Sequence, residues 1–364
     1  MTWRPRAANA ATSPPFLTLR FARSRRLSTY LPPSATGKAE PVQIWSEVRR
    51  DPLTGRSGRV AHFKGFTLVA PDLSSVVADS RRGCPFCPER VLELTPRLPS
   101  TLVPSGRICR GDAVLFPNIS PYDRNSVVTV LSREHFLEAN QFSSVQLVDG
   151  IMATIEYFQA LHRAARGTHA VLTWNYMPPS GATQVHPHFQ AFSTNRPGGM
   201  LEEEVRRSRS FWRRHQRPYW AQLAQDEEAL AERFVAQGRH TVWLTPFVAR
   251  SVISDAMAVF PERAYLEDLE EPEVAEFVAG LRLSLAAFHE EGVRAFNLAF
   301  YTAPSGEADR HFWLHARISP RIYFNPAILG SDTSAWQHLL DESVMVRSPE
   351  ALATRLCQRF AKAF

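Results

Sequence analysis

Gln184-Val-His-Pro-His-Phe-Gln-Ala-Phe192 sets two histidines on either side of a proline, with a glutamine two residues beyond the second. Neutral imidazole is both a metal ligand and a nucleophile near neutral pH. The proline fixes one backbone torsion and stiffens the pair. In an extended segment successive side chains alternate, so His186, His188 and Gln190 share one face while Pro187 and Phe189 share the other. A face of two imidazoles and an amide suits a site better than a core.

The surrounding chain supplies a frame for that stretch. Ala113-Val-Leu-Phe116, Ser126–Leu131 and Ala170–Trp174 are short and rich in β-branched or aromatic residues, as strands are. Between Ser143 and Ala165, the residues Val148, Ile151, Met152, Ile155, Phe158 and Leu161 keep helical spacing and predict an amphipathic helix. The second half repeats this order faintly. Thr241–Phe247 echoes Ala113–Asn118, a helix is predicted over Pro272–Glu290, and Ala295–Tyr301 follows as a strand. Where the first half has Cys84-Pro-Phe-Cys87, the second has Arg217-Pro-Tyr-Trp220. The expected organisation is a basic extended arm over 1–42, a first repeat over 43–197 and a degenerate second repeat over 198–364. The expected fold class is α+β, with tandem repeats that are each a mostly antiparallel sheet with helices packed on it.

Composition narrows the functional classes. The chain has 364 residues, 44% of them hydrophobic and 21% charged, which is ordinary for a protein that buries a core. No apolar run approaches the roughly 20 residues that span a bilayer, so no membrane partner is expected. The net charge is +6, and the first acidic residue is Glu40, after seven Arg and Lys residues. An acid-free, Arg- and Ser-containing start also fits an organellar transit peptide, but a cytoplasmic location is the expectation. Four cysteines are too few for a disulfide scaffold.

Cys84 and Cys87 leave three readings open: a redox dithiol, half of a zinc site, or two buried small side chains. A structural zinc takes four ligands in a tetrahedron, and His135 and His186 are candidates for the other two. A thioredoxin-like helix does not follow the pair, because Pro88 and Pro96 stand where it would run. His188 suits a nucleophile that attacks phosphorus and divides one transfer between anions into two displacements. Gln190, on the same face, can donate to a phosphoryl oxygen without itself titrating. Asn175, Ser180, Gly181 and Thr183 offer neutral donors and close backbone approach for further phosphate oxygens. The cluster Arg206, Arg207, Arg209, Arg213, Arg214 and Arg217 beside Trp212 and Trp220 reads as a solvated helix face, with nucleic-acid binding as the rival.

Arg49-Arg-Asp-Pro-Leu-Thr-Gly55, Cys84-Pro-Phe-Cys-Pro-Glu89, Phe116-Pro-Asn118, Ser132-x-x-His135, Asn175, Ser180-Gly-Ala-Thr183 and His186-Pro-His-Phe-Gln190 occur in one order. That order resembles the galactose-1-phosphate uridylyltransferase branch of the histidine-triad superfamily. The match is closest over residues 45–195. The resemblance implies zinc held by Cys84, Cys87, His135 and His186. It implies that His188 carries a nucleoside monophosphate between two sugar phosphates, with Gln190, Asn175 and Thr183 holding its phosphate. Its implied partners are a nucleotide sugar and a sugar 1-phosphate, and a homodimer. Tyr301 and His315-Ala-Arg317 stand where that branch has a second metal site, and Val344 stands where a glutamine is expected. His315-Ala-Arg-Ile-Ser-Pro-Arg321 is similar instead to the related branch that includes ADP-glucose phosphorylase. The expected activity is therefore nucleotidyl transfer from an NDP-sugar to a sugar 1-phosphate. ADP-glucose or dinucleoside polyphosphate phosphorolysis is the alternative, and a zinc-stabilised nucleic-acid-binding protein is the rival from another class.

Overall fold

The computed structural model describes residues 3–5, 18–33, 40–61, 63, 66–164, 168–305 and 310–363. The rest of the basic arm, residues 1–2, 6–17 and 34–39, and His62 lie outside them.

One antiparallel sheet of eleven strands carries both halves of the chain. From one edge inwards run Ile108–Arg110, Ala113–Pro117, Val127–Val130, His188–Thr194 and His169–Tyr176. From the other edge, inside the two-residue Arg4–Pro5, run Phe234–Gln237, Val242–Leu244, Ala256–Val259, His315–Arg321 and Ala295–Tyr301. The two series have the same internal order. Each is interrupted at the same point by a long helix, Ser144–Ala164 in the first and Glu271–Glu290 in the second. Registers agree in detail: Val130 lies opposite His188, and Val259 opposite His315. The Leu131 N–H donates to the Pro187 carbonyl at 3.0 Å, and the Phe260 N–H to the Leu314 carbonyl at 2.9 Å. The series meet where Ala295–Tyr301 pairs with His169–Tyr176, with Asn297 opposite Asn175.

Both long helices pack on one face of this sheet and form the main core with it. Leu147, Ile151, Ile155 and Phe158 recur at helical spacing and are almost wholly buried. Each such side chain contributes about 1.5–3 kcal/mol by leaving water. Glu270 and Glu273 close a capping box at the start of the second helix, with Pro272 in its first turn, where no intrahelical N–H is lost. At the centre, Trp174 packs edge-on against Phe142, Phe189 and Phe296 at 5.0, 5.1 and 4.9 Å.

The opposite face decides where a site can open. Over the second half it is roofed by helices Gly199–His215 and Tyr219–Leu230, whose Leu201, Val205, Trp220 and Leu223 pack on Leu244, Met257 and Val259. Over the first half, among the described residues, the segment from Cys84 to the short helix Val91–Leu94 covers it, with Phe86 and Val91 on Phe116, Val128 and Val130. The first half therefore keeps an open cleft on that face. A second sheet joins distant segments. Ala22–Tyr30, within the expected arm, pairs along its whole length with Val42–Arg50, which pairs with Ser57–Val60. Ser343–Met345 then adds in parallel to Ser57–Val60.

Candidate active site

The four sulfur and nitrogen donors suggested by the sequence converge. Cys84, Cys87, His135 and His186 are all buried, and one ligand atom from each lies within 4.8 Å of the others. Cys87 Sγ is 3.5 Å from His135 Nδ1, and both thiols are 3.8 Å from His186 Nδ1. Zinc bonds of about 2.3 Å to sulfur and about 2.1 Å to nitrogen, set tetrahedrally, require sulfur–nitrogen separations of about 3.6 Å. The outer nitrogens are spoken for as well: His186 Nε2 donates to the Ser132 carbonyl at 2.9 Å, and His135 Nε2 donates at 3.0 Å to Ser80 Oγ, whose own hydrogen goes to the Val77 carbonyl. Both imidazoles thus turn an unprotonated Nδ1 inwards, as metal-binding histidines do. Burial lowers the pKa of His186 to about 4 and that of His135 in the same direction, so both rings are neutral at pH 7. The donor set fits a metal ion of the zinc class.

His188 lies beside this cluster but does not belong to it. It opens the strand His188–Thr194, and its Nδ1 donates to the His186 carbonyl at 2.8 Å. A carbonyl only accepts, so Nδ1 carries the proton and Nε2 keeps its lone pair. Burial pushes the pKa of His188 down, which keeps the ring neutral. Phe86, between the two cysteines, packs edge-on against His186 at 6.2 Å and His188 at 5.3 Å. The cluster, the loop and the nucleophile candidate are therefore one packed unit.

His188, Gln190 and Thr183 line the same cleft of about 340 Å³. Phe86, Phe116, Ile119 and Tyr122 give it an apolar wall, and Asn118, Ser120 and Gln184 add polar groups. Ile119 is 84% exposed and Tyr122 68% exposed, so that wall is open to a ring-bearing ligand. Among the described residues no charged side chain lines the cleft. Any anion within it would be met by neutral donors.

Gln190 is oriented by a chain of amides that crosses from the second half. Arg321 can only donate, and its Nη1 donates to Asn297 Oδ1 at 2.9 Å. Asn297 Nδ2 is thereby aimed at its acceptors, Asn175 Oδ1 at 2.6 Å and the Ser180 carbonyl at 2.8 Å. Asn175 in turn gives Nδ2 to Gln190 Oε1 at 3.3 Å. The last amide in the chain, Gln190 Nε2, is left free to donate. Arg321 is itself held by Asp332 through Nε and Nη2. Asn175 and Ser180 thus act on the site from its flank. Gly181 sits at φ 91°, a left-handed conformation in which a side chain is strained.

The second half holds a closed counterpart. His315 Nδ1 donates to the Trp313 carbonyl at 3.1 Å, as His188 does to His186, but its Nε2 faces Glu204 Oε2 at 3.1 Å. Arg317, two residues on like Gln190, donates to Glu204 Oε1 at 2.8 Å. Trp220 lies over the His315 ring at 4.0 Å and Tyr301 stacks on it at 4.7 Å. Only about 20 Å³ of space remains there. Asp51 of the Arg49–Gly55 stretch borders this closed pocket and not the His188 cleft. Its Oδ1 instead caps the turn by accepting from the Leu53 and Thr54 N–H groups. Arg206 and Arg207 of helix Gly199–His215 have side chains 63% and 45% exposed, as a solvated face requires.

Sequence reading gave no role to Asn297, Glu204 or Ser80, and named Ser132 and Arg321 only as members of motifs. A signal for Asn297 exists: it interrupts the apolar strand Ala-Phe-Asn-Leu-Ala-Phe-Tyr just as Asn175 interrupts Val-Leu-Thr-Trp-Asn-Tyr.

No family profile matches this chain. An uncharacterized protein of Archaeoglobus fulgidus is 26% identical over 322 residues, covering 88% of this chain and 93% of that one. A solved uridylyltransferase superposes with a TM-score of 0.62 at 20% identity, covering 87% of this chain and 99% of that one. An ADP-glucose phosphorylase from Arabidopsis thaliana, solved with bound ADP-glucose, superposes with a TM-score of 0.66 at 15% identity, covering 86% and 99%. At that identity the likeness is one of fold. The chain shares the fold of these two structures over 86–87% of its length.

Proposed function

We propose that this chain is a nucleotidyltransferase in which His188 carries a nucleoside monophosphate between two phosphorylated substrates. The observation that carries the reading is the tautomer of His188: Nδ1 is tied to the His186 carbonyl, so a neutral ring keeps the Nε2 lone pair for phosphorus. In the first step Nε2 bonds to the α-phosphorus of an NDP-sugar, and the bond to the sugar 1-phosphate breaks. The leaving group departs as an anion and needs no proton. In the second step an oxygen of the acceptor bonds to the same phosphorus, the phosphorus–nitrogen bond breaks, and the neutral ring returns.

Gln190 Nε2 would donate to a non-bridging oxygen as charge gathers there, and Thr183 would offer a second neutral donor. The apolar wall of Phe86, Phe116 and Tyr122 suits a nucleobase. Cys84, Cys87, His135 and His186 would hold zinc, which when bound would cross-link the Phe86 loop to the His188 strand. The acceptor proposed is a sugar 1-phosphate. Inorganic phosphate, as in a phosphorylase of ADP-glucose or of a dinucleoside polyphosphate, is the second reading, favoured by His315-Ala-Arg-Ile-Ser-Pro-Arg321.

Isotope exchange tests the two-step path. Labelled glucose 1-phosphate should enter UDP-glucose or ADP-glucose with no second acceptor present. Net transfer without such exchange would mean a single direct displacement and would remove His188 from its role.

A further inference from the structure

A cavity of about 640 Å³ lies in the second half and shares no lining residue with the cleft at His188. Register fixes its place. Trp313 precedes His315 as His186 precedes His188, and Ala264 follows Val259 at the interval by which His135 follows Val130. Arg217 opens Arg-Pro-Tyr-Trp, which stands where the first half has Cys-Pro-Phe-Cys. Arg217, Ala264 and Trp313 all line this cavity, and among the described residues no thiol or imidazole does. It borders three of the four positions that hold the metal-ligand cluster in the first half; the fourth, Trp220, lies over His315 instead.

We infer that this cavity binds a nucleotide, independently of the reaction proposed at His188. Trp212, Tyr265 and Trp313 bring aromatic rings to the wall. A base stacks on such rings whatever its identity, because every base has a π-face. Arg217 brings a fixed cation: its Nη1 and Nη2 donate to Gln222 Oε1 at 2.8 Å and Gln225 Oε1 at 2.6 Å, neutral acceptors that hold the group without cancelling its charge. Helix Tyr219–Leu230 starts at the same wall, with Pro218 as N-cap and Ala221 lining the space, so its first-turn N–H groups add positive potential. Arg310 adds a second cation, whereas Arg263 is engaged by Glu273 at 2.6 Å. Asp268 and Glu262 complete the rim. Carboxylates would repel a bare anion but accept hydrogen bonds from ribose hydroxyls. Rings, a ribose acceptor and a cation with a helix end together match base, sugar and phosphate.

The test is titration calorimetry of the full chain with AMP and UMP, beside adenosine and inorganic phosphate alone. Arg217→Gln and Trp313→Leu should each weaken one class of nucleotide site by about tenfold or more, while donor-dependent labelling of His188 is unchanged. Photolabelling of the unsubstituted chain with an azido-substituted AMP should mark peptides containing Trp212–Arg217 or Trp313. Identical titrations in the wild type and both variants, label confined to peptides around Phe86 and Tyr122, or phosphate binding as tightly as AMP would each overturn the assignment.

Discussion

Asn297 Nδ2 lies 2.6 Å from Asn175 Oδ1, and this one contact sets the sense of every amide between Arg321 and the cleft. With Arg321 on its oxygen, Asn297 can offer only hydrogens to Asn175, which then offers hydrogens to Gln190. Asn297→Ala should therefore lower kcat by about tenfold, since it frees Gln190 to turn its oxygen towards the phosphate without removing it. KM should change little. Steady-state kinetics that separate the two constants decide the matter, and an unchanged kcat would break the link.

His315 repeats the backbone bond of His188 but faces Glu204 and Arg317 in a filled pocket, so the chain should carry one labelled histidine, not two. His315→Gln is expected to cost about 1–3 kcal/mol of stability by disturbing a buried, hydrogen-bonded group. It should leave the amount of nucleotide bound covalently per chain unaltered. Peptide mapping of the labelled protein checks both statements, and loss of label with His315 would contradict them.

Metal analysis of the purified chain should find about one zinc per protein. Cys84→Ser should lower that content sharply and lower the thermal midpoint. The Cys87 thiol is pushed up to about 11 by burial and by Cys84 beside it, so its thiolate is not favoured there without a cation. Zinc content indifferent to Cys84→Ser would rule out this ligand set.

Glu350 ties two buried arginines together, accepting from Arg49 at 2.9 and 3.0 Å and from Arg233 at 3.0 Å. Burial pushes its pKa up, but the bonds to Arg49 and Arg233 outweigh this and hold it at about 2. A carboxyl depressed in the folded state stabilises fully above its unfolded pKa of about 4.3, and that stability is lost as pH falls towards 2. The amount is on the order of 3 kcal/mol. Chemical denaturation between pH 5 and pH 2 should show this loss in the wild type and a flatter profile in Glu350→Gln. Equal acid dependence in both would refute the assignment.

The legible part of the molecule was local. Proline between His186 and His188 and the alternation into Gln190 predicted one shared polar face, and the strand His188–Thr194 has Phe189 in the core beside Trp174 with His188 and Gln190 on the cleft. The helices over Ser144–Ala164 and Glu271–Glu290 followed from apolar spacing alone. What stayed hidden depends on partners far away in sequence. Ala22–Tyr30 is strongly polar and lacks a buried stripe, and its strand exists because Val42–Arg50 pairs with it. Ser343–Met345 joins a strand from the opposite end of the chain. Asn297 and Glu204 act through contacts that no spacing announces, since both reach strands of other segments.

The proposed chemistry turns on a covalent bond between His188 Nε2 and phosphorus. Its most direct test is the intact mass of the purified protein after separate incubation with UDP-glucose, ADP-glucose and GDP-mannose, with no acceptor added. An increase equal to one nucleoside monophosphate is expected with at least one donor, absent in His188→Ala, and the donor that gives it names the base. An adduct that persists in His188→Ala, or no adduct with a donor that the enzyme demonstrably turns over, would contradict it.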